Sequence, residues 1–321
     1  MTICCPAALG AFVTYAIAST FFWHYPHLLH KKKRVAFTAA HISHRGGSAE
    51  GYENTIRAFR NAIDKGTDML ELDVRLTKDG RVVVFHDADL SRMTGKNVKI
   101  SDLEYSQLPI LCPAVHIDTI PGTKFSDLSW PEDDRRIPLL RQVFREFPTV
   151  PMNIDIKDND DKLIRKVGKL LNEFHRTEIT VWGSFNNRVC KQCFVTSPDT
   201  HLFFSATRVI VLVLFAVTGI LPFIPLRESH YEVFLPLAMK KRRLQNGGKL
   251  SLTETVILFF SSLLVWKPMI AHLQRRGIQV YLWVCNSEEE FAACKSVNAT
   301  GIMTDRPTKL REFLDKRDPP K

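Results

Sequence analysis

The chain has 321 residues, 45% of them apolar and 24% charged, which excludes a disordered or collagen-like polymer and allows one large α/β barrel or two smaller domains. Lys and Arg number 44 against 34 Asp and Glu, so the net charge is +10 and the pI lies near 9.3. Such an excess points to an anionic partner, whether nucleic acid, a phosphate ligand or lipid headgroups.

The 7 cysteines are odd in number and thinly spread, which suits a reducing compartment better than a disulfide framework. Cys190 and Cys193 form one CxxC, but the second pair that a zinc site needs is missing. At the N-terminus, Ile3 to Trp23 carries no charge and meets the length of roughly 20 residues that a spanning helix needs. Lys31, Lys32, Lys33 and Arg34 follow it. A cleavable signal has its positive charge before the apolar run, so residues 1–34 read as an uncleaved anchor with its basic flank. The positive-inside rule then places Lys31 onward in the cytosol.

From Ala39 short β-rich runs alternate with helical patterns such as Asn54 to Asp64 and Lys162 to His175. The runs are AAHISH, MLELDV, RVVVFH, MNIDIK, EITVWG, HLFF, QVYLWVC and GIMT, with Glu232 to Leu235 as a spare. Eight strands alternating with helices predict a (β/α)8 TIM barrel over residues 39–312, preceded by the N-terminal transmembrane helix and followed by a tail at 313–321. Residues 87–136 break the alternation and read as an insertion after the third strand. A second apolar run, Val209 to Leu226, has 18 residues without a charge and contains Pro222 and Pro225. A third, Val256 to Trp266, is shorter. Arg227 to Lys249, with Lys240, Lys241, Arg242 and Arg243, is expected to be a basic loop touching anionic headgroups.

In such a barrel, chemistry gathers at the C-terminal ends of the strands. His44-Arg45-Gly46-Gly47, Glu71-Leu72-Asp73, His86-Asp87 and Asp155-Ile156-Lys157 stand at four successive strand ends. Glu71 and Asp73 are two apart, so both carboxylates point to one face and repel unless a cation lies between them. With Asp155 they make an all-oxygen set suited to Mg²⁺ or Ca²⁺. His44 and His86 can divide proton abstraction and donation, while Arg45 and Lys157 supply charge for a phosphate. Glu53 and Asn54 fit the start of the first helix or a substrate contact. Trp283 and Asn286 close a later strand and are expected to form a substrate wall, core packing being the other reading of Trp283. No nucleic-acid-binding motif accompanies the basic charge.

The strings HRGG (44–47), ENT (53–55), LELDVRLTKDGRVVVFHD (70–87), NIDIK (153–157), WVCN (283–286) and GIMTDRP (301–307) resemble the glycerophosphodiester phosphodiesterase family. Within it, the anchor and the LPFIP run at 221–225 look most like the membrane-associated mammalian branch that acts as a lysophospholipase D. The resemblance implies a divalent metal, Mg²⁺ or Ca²⁺, on Glu71, Asp73 and the acid at 155, with His86 a further ligand in some readings of such sites. It implies His44 and His86 as the acid/base pair and Arg45 and Lys157 on the phosphate. Many relatives carry Glu where Asp155 stands, which implies a shorter ligand and room for a bridging water.

The implied substrate is a lysophospholipid or related glycerophosphodiester at a membrane, such as lysophosphatidylcholine or N-acyl-lysophosphatidylethanolamine, giving lysophosphatidic acid and the free headgroup. The expected location is endoplasmic reticulum or perinuclear membrane with the barrel cytosolic. A glycerophosphodiesterase acting on deacylated glycerophosphodiesters, a phosphoinositide-type phospholipase C and a non-catalytic lipid-binding membrane module are the alternatives. His44, Glu71, His86 and Asp155 precede the second apolar run, whereas Trp283 and Asp305 follow it. Residues 209–226 are therefore expected to dip into the near leaflet or line an acyl-chain entrance instead of crossing once.

Overall fold

The computed structural model describes residues 4–245 and 251–317. Eight parallel strands form a ring: β1 (His41–Ser43), β2 (Met69–Leu76), β3 (Met152–Ile156), β4 (Thr180–Gly183), β5 (His201–Leu202), β6 (His230–Phe234), β7 (Gln279–Trp283) and β8 (Gly301–Thr304). The ring closes where β1 pairs with β8 and where a parallel bridge joins Phe203, just past β5, to His230 on β6. Ile42, Met69, Val181, Phe203, Tyr281 and Met303 fill the interior, and helices pack outside against the apolar positions of the strands.

Two expectations about the strands need correction. RVVVFH is not a member of the ring: Val82–Val84 folds back antiparallel on the far end of β2, pairing Val74 with Val84 and Leu76 with Val82. The physical reason is the Asp79-Gly80 turn, in which Gly80 adopts φ +75° and Thr77 N–H reaches Arg81 O at 3.0 Å. The spare run supplies the missing member as β6. Consequently Arg227 to Lys249 is not a loop. It contains β6 and the helix Pro236–Gln245, which carries Lys240 to Arg243; residues 246–250 lie outside the described residues.

Glu53 and Asn54 do not start the first helix, which spans Ile56–Asp64 with Thr55 as its cap. Thr55 Oγ1 accepts from Ala58 N–H at 3.3 Å and donates to Tyr52 O at 2.7 Å, fully inside the protein. Thr55→Ala is expected to cost about 1–2 kcal/mol of stability, measured as a lowered denaturant midpoint at unchanged m value.

The insertion carries its own apolar cluster, with Leu90, Met93, Ile100, Leu111, Val115 and Trp130, and a two-stranded ribbon of Ala114–His116 with Lys124–Ser126. The N-terminal helix Cys4–His24 has 21 residues, about 31 Å of helix, close to the ~30 Å of a bilayer core. Its lower half docks on the barrel: Tyr15 Oη donates to Thr218 O at 2.6 Å, Ser19 Oγ to Gly219 O at 2.7 Å, and the Trp23 ring lies against Trp266 and His272. The second apolar run folds as the helix Ala206–Val217, whose 12 residues cover only about 18 Å, followed by a short turn at Leu221–Phe223. The third is the helix Leu252–Ser261, continued by Ser262–Val265 and by Lys267–Arg275, whose Met269, Ile270 and Leu273 belong to the core.

Candidate active site

β1 ends in a tight turn that turns His44 and the Arg45 backbone toward β2. Arg45, Gly46 and Gly47 all have positive φ (51°, 78° and 91°). A Cβ at Gly46 would lie 2.8 Å from the Phe59 ring and one at Gly47 2.7 Å from Pro307, so the pair of glycines is required by close packing as well as by conformation. This turn presents Arg45 N–H to Glu71 Oε2 at 2.8 Å.

Two imidazoles, each with a carboxylate behind it, line one cavity of about 380 Å³. His44 Nδ1 bonds Asp305 Oδ1 at 2.7 Å, and its Nε2 lies 3.8 Å from Glu71 Oε2. His86 Nδ1 bonds Asp87 Oδ1 at 2.6 Å. An ionised carboxylate accepts only, so in each pair Nδ1 carries the hydrogen and Nε2 is left free to take a proton. Burial works against a charged His44, but the Glu71 and Asp305 carboxylates outweigh it and hold its pKa above the ordinary imidazole value. Asp305 is fully buried, which opposes its ionisation. Charge and hydrogen bonding from His44, helped by Ser48 and Thr119, nevertheless hold it well below the usual carboxylate range. Asp87 is likewise held low despite its burial, by hydrogen bonds from His86 and Arg92.

The carboxylates stand as their strand positions dictate. In the β2–β3 register Glu71 is opposite Asn153 and Asp73 opposite Asp155. Lys157 Nζ lies between the latter two, 2.9 Å from Asp73 Oδ1 and 2.7 Å from Asp155 Oδ2. Asp73 also meets Arg45 Nε at 3.2 Å and accepts from Asn54 Nδ2 at 2.9 Å. Burial would raise its pKa, and Lys157 and Arg45 overcome that to hold it far below the carboxylate range. Glu71 has less compensation, and burial together with Asp73 raises its pKa.

The donor set Glu71, Asp73 and Asp155 offers only hard oxygen, and Asp155 Oδ1 is buried without a hydrogen-bond partner, as a cation's ligand would be before binding. The set therefore fits a divalent metal chemically. Among the described residues, however, no three His, Cys, Asp or Glu side chains are gathered at metal-holding geometry, and the Lys157 ammonium is the cation that bridges Asp73 and Asp155.

Arg45 lines the cavity but is almost wholly buried, its guanidinium held by Glu53 and Asp118 at 3.1 Å and by Asp73. Glu53 is thus a ligand of Arg45 and Arg92, and Asn54 of Asp73, in place of the helix start. Trp283 lines the cavity. Asn286 does not: its Nδ2 donates to Asp305 Oδ2 at 2.8 Å and its Oδ1 accepts from Asp305 N–H, so it holds the His44 partner. Cys190 and Cys193 are buried thiols in the helix Asn187–Thr196.

Four residues had no assigned role in the sequence. Asp305 was visible at the end of TDRP, although its partner lies 261 positions away. Asp118 and Thr119, from the insertion, reach Arg45 and Asp305 and carry no sequence signal. Glu232, on β6, accepts from Asn153 Nδ2 at 2.8 Å across the barrel; burial first, then Glu71 and Asp155, push its pKa up to about 8. Placing RVVVFH in the ring left its strand as a spare run.

The glycerophosphoryl diester phosphodiesterase family model matches residues 44–309, which contain every side chain of this site. The chain belongs to that family. It is a phosphoric diester hydrolase by this membership. The chain is 43% identical to human Lysophospholipase D GDPD1 over 301 residues, 94% of each chain. It is 38% identical to human Lysophospholipase D GDPD3, covering 97% of this chain and 96% of the relative. Solved family members share the fold: a glycerophosphodiester phosphodiesterase from Agrobacterium tumefaciens superposes with a TM-score of 0.59 at 18% identity, covering 85% of this chain and 99% of that one. An Oleispira antarctica phosphodiesterase in complex with its product sn-glycerol-3-phosphate superposes at 0.60 and 17% identity, covering 87% and 98%.

Proposed function

We propose that this protein is a lysophospholipase D: it releases the headgroup alcohol of a lysophospholipid and leaves lysophosphatidic acid. The observation that carries the reading is the composition of the cavity, where two histidine–aspartate pairs and Lys157 face a wall of Phe185, Phe204, Phe234 and Trp283. A deacylated glycerophosphodiester would leave that wall without an apolar partner. The names of the relatives agree with it.

In the proposed reaction His44 Nε2 takes the proton of the free glycerol hydroxyl next to the phosphate. The resulting alkoxide attacks phosphorus, and His86, on the more exposed rim, gives a proton to the departing headgroup oxygen. The products of this step are the free alcohol and a cyclic phosphate. Water then opens the ring with the two histidines in reversed roles. Lys157, on the cavity wall, holds a phosphoryl oxygen, and Arg45, fixed by Glu53, Asp73 and Asp118, adds positive charge behind it. Glu71, Asp73 and Asp155 would hold a divalent cation, Mg²⁺ or Ca²⁺, which when bound supplies further charge neutralisation of the phosphoryl group. The N-terminal helix, followed by Lys31 to Arg34, anchors the barrel on the cytosolic side of an internal membrane such as the endoplasmic reticulum.

Purified protein incubated with lysophosphatidylcholine and either Mg²⁺ or Ca²⁺ is expected to release choline and lysophosphatidic acid, to stop when the cation is chelated, and to leave untouched an analogue lacking the free hydroxyl. Release of phosphocholine instead would identify a phospholipase C. Ready turnover of the deoxy analogue would replace the glycerol hydroxyl by water as the nucleophile.

A further inference from the structure

We propose that the substrate enters the site sideways from the bilayer, its single acyl chain passing between the helix Ala206–Val217 and the segment Ser262–Val265, and that the apolar face around this opening lies in the cytosolic leaflet. The proposal rests on the lysophospholipase D reading and adds the route and the surface by which the lipid arrives.

Three observations carry it. First, the cavity that holds His44 and His86 is walled on its other side by Val209, Ile210 and Leu264, so the catalytic floor is continuous with these two segments. Tyr231 Oη fixes the second segment to β6 by donating to Leu264 O at 3.1 Å. Second, the helix Ala206–Val217 is apolar on both faces. Val209, Leu212 and Ala216 face the core, while Ile210, Leu214 and Val217 are 61%, 58% and 59% exposed. A short helix that is hydrophobic all round yet half in solvent requires an apolar medium on its outer side.

Third, the neighbouring elements extend this face. Val256, Ile257, Phe259 and Phe260 of the helix Leu252–Ser261 are exposed, and the N-terminal helix docks on Thr218, Gly219 and Trp266. Cations border this face: exposed Lys267 follows Trp266, and Arg242, on the helix Pro236–Gln245, lines the same cavity. Apolar side chains bordered by cations match a leaflet with anionic headgroups.

Two substitutions at exposed positions test the route in the full-length protein. Ile210→Asp places a charge on the wall of the opening; in detergent it is expected to lower kcat/KM for palmitoyl-lysophosphatidylcholine at least about tenfold relative to the hexanoyl homologue. Leu214→Asp lies on the outer face beyond the cavity lining. It is expected to leave hydrolysis of the dissolved hexanoyl substrate unchanged and to lower both co-sedimentation of the protein with phosphatidylserine-containing vesicles and turnover of palmitoyl substrate embedded in them.

Equal losses on both chain lengths for Ile210→Asp, or undiminished vesicle turnover for Leu214→Asp, would overturn the proposal. Failure of the lysophospholipase D reading itself is a separate result: the unsubstituted protein would release no headgroup from either homologue.

Discussion

His44→Ala should lower kcat on a lysophospholipid by roughly 10³-fold while the protein stays folded. The loss follows from removing the only imidazole seated on Asp305, with its Nε2 turned to the cavity. The fold should survive because Asp305 keeps three other donors, Ser48 Oγ, Thr119 Oγ1 and Asn286 Nδ2, at 2.7, 2.5 and 2.8 Å, so no buried carboxylate is orphaned. His86→Ala should cause a loss of similar size. The double variant should be little worse than either single one, since a base and an acid that serve the two ends of one displacement at phosphorus act as a unit. Circular dichroism and the denaturant midpoint check the fold, and headgroup release checks the chemistry. Retention of more than about a tenth of the activity by either single variant would remove that histidine from the mechanism.

Asp305→Asn is the second large effect, and it separates orientation from mere presence of the imidazole. The carboxylate accepts from His44 Nδ1 and from three further donors. Oδ1 serves His44 and Ser48, and Oδ2 serves Thr119 and Asn286; an amide keeps one oxygen and turns the other into a donor, so the two bonds at that position are lost or reversed, and an amide N–H facing His44 Nδ1 leaves the imidazole hydrogen on Nε2, the wrong nitrogen for a base. A fall in kcat of roughly 10²–10⁴-fold is expected, with KM changed little. In a His44→Ala background the same change should cost almost nothing further in rate, because its effect passes through His44. A full additional loss in that background would show that Asp305 acts by some other route.

Much of this site was legible because a barrel writes its chemistry at strand ends. The His44 and Asp155 positions followed from β-rich runs that stop at charged residues, and the two-residue spacing of Glu71 and Asp73 fixed their common face, although β2 runs past them to Leu76. Local pattern failed where pairing decided the outcome. VVVF has the composition of a buried strand whichever way it runs, and only the Asp79-Gly80 turn indicated that it folds back on β2. Counting it in the ring left β6 as a spare run and Glu232 without a role. The parts contributed by the insertion, Asp118 and Thr119, had no periodicity to announce them; they matter because the ribbon between residues 114 and 126 carries them over Arg45 and Asp305.

Charge reasoning also needed the third dimension. Two adjacent carboxylates imply a cation, and the sequence contained Lys157 and Arg45 as well as the metal the resemblance implies. The fold sets the Lys157 ammonium against Asp73 and Asp155 and commits Arg45 to Glu53, Asp73 and Asp118.

The bond between His44 and Asp305 joins the first strand end to the last, across the seam where β1 pairs with β8. Contacts of such high sequence separation form only after most of the chain-ordering entropy has been lost, so they come late in folding. A growing or truncated chain that lacks β8 already contains both imidazoles and all three acidic strand-end residues, yet His44 has no partner to set its tautomer. The His44–Asp305 pair is therefore completed only with ring closure, and a chain that has not closed its ring lacks the carboxylate that orients His44.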